Sequence, residues 1–278
     1  MKIDAHQHFW IYNSREYGWI GDTMDVLKCN YLPEDLCSEL INAGYSGSVA
    51  VKARQTVEET RWLLELSGKY DFIRGVVGWA DLSDEDSLKR QLDEFCNHKK
   101  LVGLRHVIHD EPDDNFMLRD NFLKGISILK DYDLTYDLLL FPKHIPVAQL
   151  VVSMFPKQKF VLDHISKPLI RNKVISPWRE DIIRLAQNKN VWCKLSGMVT
   201  EAELKSWKHE DFRPYLDVVL EAFGTDRLMI GSDWPVCRLA GEYQEVAGIV
   251  EGYFSEMPDD LHGKITGENC ISFYGLEI

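Results

Sequence analysis

The chain has 278 residues, of which 45% are apolar and 27% charged, and its formal net charge at pH 7 is −12. That length suits one large α/β domain over residues 1–278, and the acidic balance argues against a nucleic-acid or anionic-membrane partner, since both want a basic face. No stretch approaches the roughly 18 consecutive apolar residues of a membrane span, and polar Asp4, His6, Gln7 and His8 stand where a signal peptide would be apolar, so a cytoplasmic protein acting on a small molecule is expected.

Short apolar or β-branched runs recur at residues 3–5, 48–52, 73–79, 101–106, 134–139, 160–163, 191–195 and 228–232. Most are continuous rather than alternating, as parallel strands covered on both faces require. Helical patterns fall between them. Pro33-Glu34-Asp35 opens one, with proline in the first turn and acids at the positive end of the dipole, and Ala43-Gly44 closes it. Leu88, Leu92 and Phe95 make a stripe, as do Leu216, Val219, Leu220 and Phe223. Pro177 starts a helix carrying Trp178, Ile182 and Leu185, and Gly224 can cap the helix ending at Phe223. Eight βα units with no linker between them predict a single (β/α)₈ TIM barrel. The six cysteines (Cys29, Cys37, Cys96, Cys193, Cys237 and Cys270) form no C-x-x-C pair and read as reduced thiols.

Barrels of this kind work at the C-terminal ends of their strands. Those ends carry His6 and His8, Lys52, Trp79, Arg105 and His106, Asp137, His164, Lys194 and Ser196, and Asp233. Alternate residues on a strand share a face, so His6 and His8 project together. Two imidazoles so placed can ligate a divalent metal or donate hydrogen bonds to a carbonyl oxygen; they can also be a satisfied polar pair. Asp163-His164 ends strand six, with His164 expected to face the mouth and Asp163 to support it. Asp233 ends strand eight, where a carboxylate can act as general base toward water. His6 and His8 can meet Asp233 only if the sheet closes.

Arg105 offers a planar fork for vicinal oxygens, or an ion pair bracing the rim. His106, Lys52, Trp10, Trp79 and Trp234 lie beside these ends and are candidate substrate contacts; for the tryptophans, stacking on a sugar and filling space are both open. Arg54 and Gln55 are equally ambiguous. His98, His109, His144, His209 and His262 fall in helical or loop stretches and read as surface residues.

Several motifs in order resemble the amidohydrolase superfamily, in its metal-poor branch of L-fuconolactonase-like sugar lactonases. They are Asp4-Ala5-His6-Gln7-His8-Phe9-Trp10, Gly78-Trp79-Ala80-Asp81-Leu82, Gly103-Leu104-Arg105-His106, Val161-Leu162-Asp163-His164 with Lys167-Pro168, Lys194-Leu195-Ser196-Gly197, and Gly231-Ser232-Asp233-Trp234-Pro235-Val236. The resemblance implies an amidohydrolase-like barrel that opens an L-fucono- or L-rhamnono-lactone to its sugar acid, in carbohydrate metabolism such as L-fucose degradation. Asp233 would take a proton from water while His6, His8 and His164 stabilise the oxyanion. They would do so directly, without metal, or through one zinc-like divalent ion held by His6 and His8 with His164 or Asp233.

In binuclear members a lysine or glutamate ending strand four or five bridges two metals, and a histidine ends strand five. Here those strands carry Arg105-His106 and Tyr136-Asp137-Leu138-Leu139, so a two-metal centre is not expected. Lys52 departs from the family pattern, which favours glutamine there. Alternative readings are a dicarboxylate-lactone hydrolase or decarboxylase, which would want several mouth arginines (Arg105, Arg54 and Arg238 are at hand), or a sugar-binding barrel without activity. The sequence is compatible with a monomer or a homo-oligomer.

Overall fold

The computed structural model describes residues 1–95 and 97–278. Its eight strands are β1 (Ile3–Gln7), β2 (Gly47–Val51), β3 (Ile73–Gly78), β4 (Leu101–Val107), β5 (Thr135–Leu139), β6 (Phe160–Leu162), β7 (Val191–Leu195) and β8 (Leu228–Ile230). They pair in parallel in chain order. The seam between β8 and β1 is closed by backbone bonds just past the ends of the ladders. His8 N–H donates to the Trp234 carbonyl at 2.7 Å, and Asp233 N–H to the His6 carbonyl at 2.8 Å. The result is a TIM barrel.

The helices follow the strands: α1 (Pro33–Ala43), α2 (Val57–Lys69), α3 (Glu85–Phe95), α4 (Asp120–Leu129), α5 (Ile145–Met154), α6 (Trp178–Ala186), α7 (His209–Phe223) and α8 (Tyr243–Tyr253). Then α9 (Asp259–Gly263) runs through a π-helical turn into α10 (Asn269–Tyr274). Helix α1 begins on Pro33 and ends at Gly44, which adopts φ 76° as a left-handed cap. Pro177 lies one residue before α6, and Leu88, Leu92 and Phe95 are the buried stripe of α3. None of the described helices is long and apolar enough to cross a membrane. Cys29, Cys37, Cys193, Cys237 and Cys270 are free thiols; Cys96 lies outside the described residues.

Two features of the core position the site. One apolar cluster joins Ile3, Ala5, Val49, Val51, Val77, Val161 and Met229 to Phe273 and Tyr274 of α10, so the C-terminal helix packs against side chains from strands all round the barrel. His6 follows Ala5 directly, yet it also faces the polar interior. The pairing of β1 with β2 shifts register between Asp4 and Gln7, and such an irregularity re-aims the side chains beyond it. Buried Asp4 then fixes the strand end, accepting from His6 N–H, Ser232 N–H, Ser232 Oγ and Tyr243 Oη.

Candidate active site

A cavity of about 520 Å³ opens over the strand ends, with His8, Arg105, His164 and Asp233 in its lining. Lys167, His109, Asp110, Thr200 and Glu201 add polar groups, while Trp19, Met24, Leu139, Phe141, Leu204 and Leu239 make an apolar wall. His6 is wholly buried just beneath.

Asp233 Oδ1 gathers the histidines. It stands 3.3 Å from His8 Nε2, 3.8 Å from His6 Nε2 and 3.8 Å from His164 Nε2. Local backbone makes this possible. Asp233 itself is left-handed, at φ 58°. Gly231 lets β8 approach β1, because a Cβ there would meet the His6 Cβ at 2.7 Å. His164, Ile165, Ser166 and Lys167 form four consecutive left-handed residues, a conformation costing roughly 1–2 kcal/mol per non-glycine residue. Trp178 Nε1 donates to the Ile165 carbonyl and Ile165 is fully buried, so packing holds the strained turn. The turn carries both His164 and Lys167 to the cavity.

Burial pushes His6 and His164 well below the ordinary imidazole range, and His8 below it too. All three rings are therefore neutral near pH 7. Burial alone would raise the Asp233 carboxyl, but its polar neighbours, His164 first, outweigh it and hold Asp233 below its usual value.

His8 Nδ1 lies 2.7 Å from the Val51 carbonyl. A carbonyl only accepts, so Nδ1 carries the proton and neutral His8 presents a lone pair at Nε2. That ring can ligate, but it cannot donate to an oxyanion from Nε2. The lone pair faces the Asp233 carboxylate at 3.3 Å, and two such atoms need a cation or proton between them. His6 Nε2 is 3.2 Å from His8 Nε2. The triangle's edges of 3.2, 3.3 and 3.8 Å lie near the ligand–ligand separation of about 3.3 Å expected for tetrahedral zinc with bonds near 2 Å. His6, His8 and Asp233 therefore fit one divalent ion once Arg105 Nη1, which stands 3.2 Å from His6 Nε2, gives way. His6, Asp163 and His164 form a second set of potential ligands.

The second set is crowded by the protein's own cations. Lys194 Nζ stands 3.1 Å from Asp163 Oδ1 and 3.2 Å from His6 Nδ1. Arg105 Nη1 donates to Asp163 Oδ2 at 3.0 Å, and Nη2 to the Lys52 carbonyl at 2.6 Å. Burial opposes the charge on Asp163, but Lys194, His6 and Arg105 together hold it well below the carboxylate range. Arg105 thus both braces the rim and lines the cavity.

Other sequence expectations land elsewhere. Trp10 is fully buried, donating to the Cys29 carbonyl, and Trp234 packs on Phe9 and Tyr31. Trp79 Nε1 faces His106 Nδ1, whose Nε2 meets Glu111. Lys52 is wholly buried, with no hydrogen-bond partner for Nζ. Among the described residues, none of these five lines the cavity; the tryptophan that does is Trp19, from the loop after β1. Two surface expectations need correcting. His109 lines the cavity and stacks on Phe141 at 4.6 Å. His144 is fully buried, accepting from Phe141 N–H and facing Asp114. His98 and His209 are exposed, and His262 is half-buried.

Comparison with known proteins points one way. The family model described as Amidohydrolase matches residues 3–276. The L-fucono-1,5-lactonase of Burkholderia multivorans is 39% identical over 261 residues, covering 90% of this chain and 88% of that protein. The L-fucono-1,5-lactonase of Burkholderia ambifaria is 33% identical over 284 residues, covering 99% of this chain and 96% of that protein. A crystal structure of an amidohydrolase from Burkholderia multivorans with bound zinc superposes at a TM-score of 0.95, with 38% identity and full coverage of both chains.

Proposed function

The chain belongs to the amidohydrolase family, and we propose that within it the cavity opens a sugar aldonolactone, of the L-fucono- or L-rhamnono-lactone type, with Asp233 as general base. It is a lactone-hydrolysing enzyme, as its fuconolactonase relatives are named. The observation that carries the assignment of the base is the position of Asp233: ionised, on the cavity wall, and ringed by His6, His8 and His164.

A water is taken to bind against the Asp233 carboxylate, whose Oδ1 is the oxygen that meets the three histidines. That water loses its proton to Asp233 as it attacks the lactone carbonyl, and the proton returns to the ring alkoxide as the C–O bond breaks. Arg105, whose guanidinium is in the lining, faces the developing oxyanion. One such donor typically contributes about 3 kcal/mol. A divalent ion held by His6, His8 and Asp233 would supply Lewis-acid polarisation of the carbonyl. The apolar wall suits the C–H faces and methyl group of a deoxy-sugar ring.

A panel of neutral sugar lactones and anionic dicarboxylate lactones, followed by acid release with a pH indicator, tests the reading. Turnover of L-fucono- or L-rhamnono-lactones is expected. Turnover confined to the anionic lactones would replace it with a dicarboxylate-lactone hydrolase, and tight binding without turnover would leave a sugar-binding barrel.

A further inference from the structure

Lys194 is the buried charge that the proposed reaction leaves unused. It sits on β7 with no exposed surface, against two carboxylates that accept its N–H bonds and against His6 Nδ1, whose own proton faces Asp163 Oδ1 at 3.3 Å when Nε2 is the ligating atom. Asp137 Oδ2 is 2.5 Å away, Asp163 Oδ1 3.1 Å and His6 Nδ1 3.2 Å. Asp137 is in turn held by Tyr274, whose hydroxyl reaches both carboxylate oxygens at 3.1 and 2.9 Å. The C-terminal helix therefore locks Asp137, and Asp137 locks the ammonium.

The two sets of potential metal ligands share His6, and the set formed with Asp163 and His164 has Lys194 Nζ against two of its three members. An ammonium at hydrogen-bond distance from both a carboxylate and a ring nitrogen supplies the charge that an ion would bring there. It also repels one. We propose that Lys194 is a built-in cation that fills the second ion position of this site, limiting the chain to one divalent ion at His6, His8 and Asp233 and holding Asp163, which orients His6 from behind. Lys194 is a positioning residue in this scheme, since it reaches the cavity only through His6 and Asp163. The inference is independent of which lactone is turned over.

Native mass spectrometry of the full chain titrated with zinc(II) reads the stoichiometry directly, with His6→Ala subtracting ions bound elsewhere. Wild type takes at most one zinc through His6, and Lys194→Met takes one more than wild type. Two zinc ions on the wild-type chain, or no gain on folded Lys194→Met, overturn the proposal. Because Lys194→Met leaves Asp137 without its cation and Asp163 with Arg105 alone, and can fail to fold, a second measurement uses wild type alone. The Nζ resonance of Lys194, assigned by its contacts to the Tyr274 ring, persists at zinc saturation if the ammonium keeps its place; its loss sinks the idea. Both readouts stand apart from lactone turnover, so failure of the substrate assignment and failure of this inference are distinguishable.

Discussion

His8 Nε2 stands 3.3 Å from Asp233 Oδ1, and with Nδ1 of the same ring donating to Val51 the two atoms meet as electron-pair donors. Positive charge between them removes the repulsion. His6 Nε2 completes a three-atom face, and outer hydrogen bonds of the kind His8 makes orient metal-binding histidines and raise their basicity.

Zinc affinity should follow from this face. His8→Ala is expected to bind zinc(II) at least tenfold more weakly than wild type by calorimetry, because even outer partners are typically worth about 10–100-fold. An unchanged isotherm would put the ion elsewhere.

Asp233→Asn separates charge from backbone. Asparagine tolerates the left-handed conformation at this position nearly as well as aspartate, so the strand end keeps its shape while the base is lost. A fall in kcat of about 10²–10⁴, the usual contribution of a positioned base, is expected with little change in KM or melting temperature. Wild-type kcat in this variant would remove Asp233 from the chemistry.

The strand ends were legible because apolar runs that finish on polar residues are a local signal, and β1, β6 and β8 delivered His8, His164 and Asp233 to one cavity. What lay just past those ends was not legible. Alternation fixes a side chain's direction only inside a ladder; beyond it Trp10 turns back onto Tyr31 and Cys29, and Trp79 onto His106. Lys194 could be seen as a strand-end residue, but its role depends on Asp137 and Asp163 arriving from β5 and the end of β6, a matter of register between strands. His144 is buried through Asp114 and Phe141, a loop contact without periodicity. Trp19, Phe141 and Leu204 likewise reach the cavity from loops.

Stability against pH offers a test of the buried charges. His6, His8 and His164 are held below 6.5 by burial, so below that pH the unfolded chain binds more protons than the folded one, and stability falls as pH falls. Glu59 runs the other way. Burial pushes it up to about 7, so the folded state takes its proton first and gains stability between pH 7 and the unfolded value of 4.5. Urea unfolding at pH 7.5 and 5.5 should show Glu59→Gln losing more stability on acidification than wild type, by about 2 kcal/mol. Equal losses would mean that Glu59 does not hold a proton in this interval.

Gly197 and Gly44 allow backbone strain to be separated from displacement of His164. Both adopt positive φ, 59° and 76°, so alanine at either costs about 1 kcal/mol in conformation. At Gly44 an added Cβ meets nothing within 4 Å. At Gly197 it would lie 2.4 Å from His164 Nδ1, the nitrogen paired with Ser196 Oγ at 2.9 Å. The ring must swing away, taking Nε2 from Asp233. Gly44→Ala should therefore lower the melting temperature by a few degrees and keep wild-type kcat, whereas Gly197→Ala should lose stability and at least tenfold in kcat together. If the two variants lose stability alike and both keep full turnover, the position of His164 does not matter to the reaction.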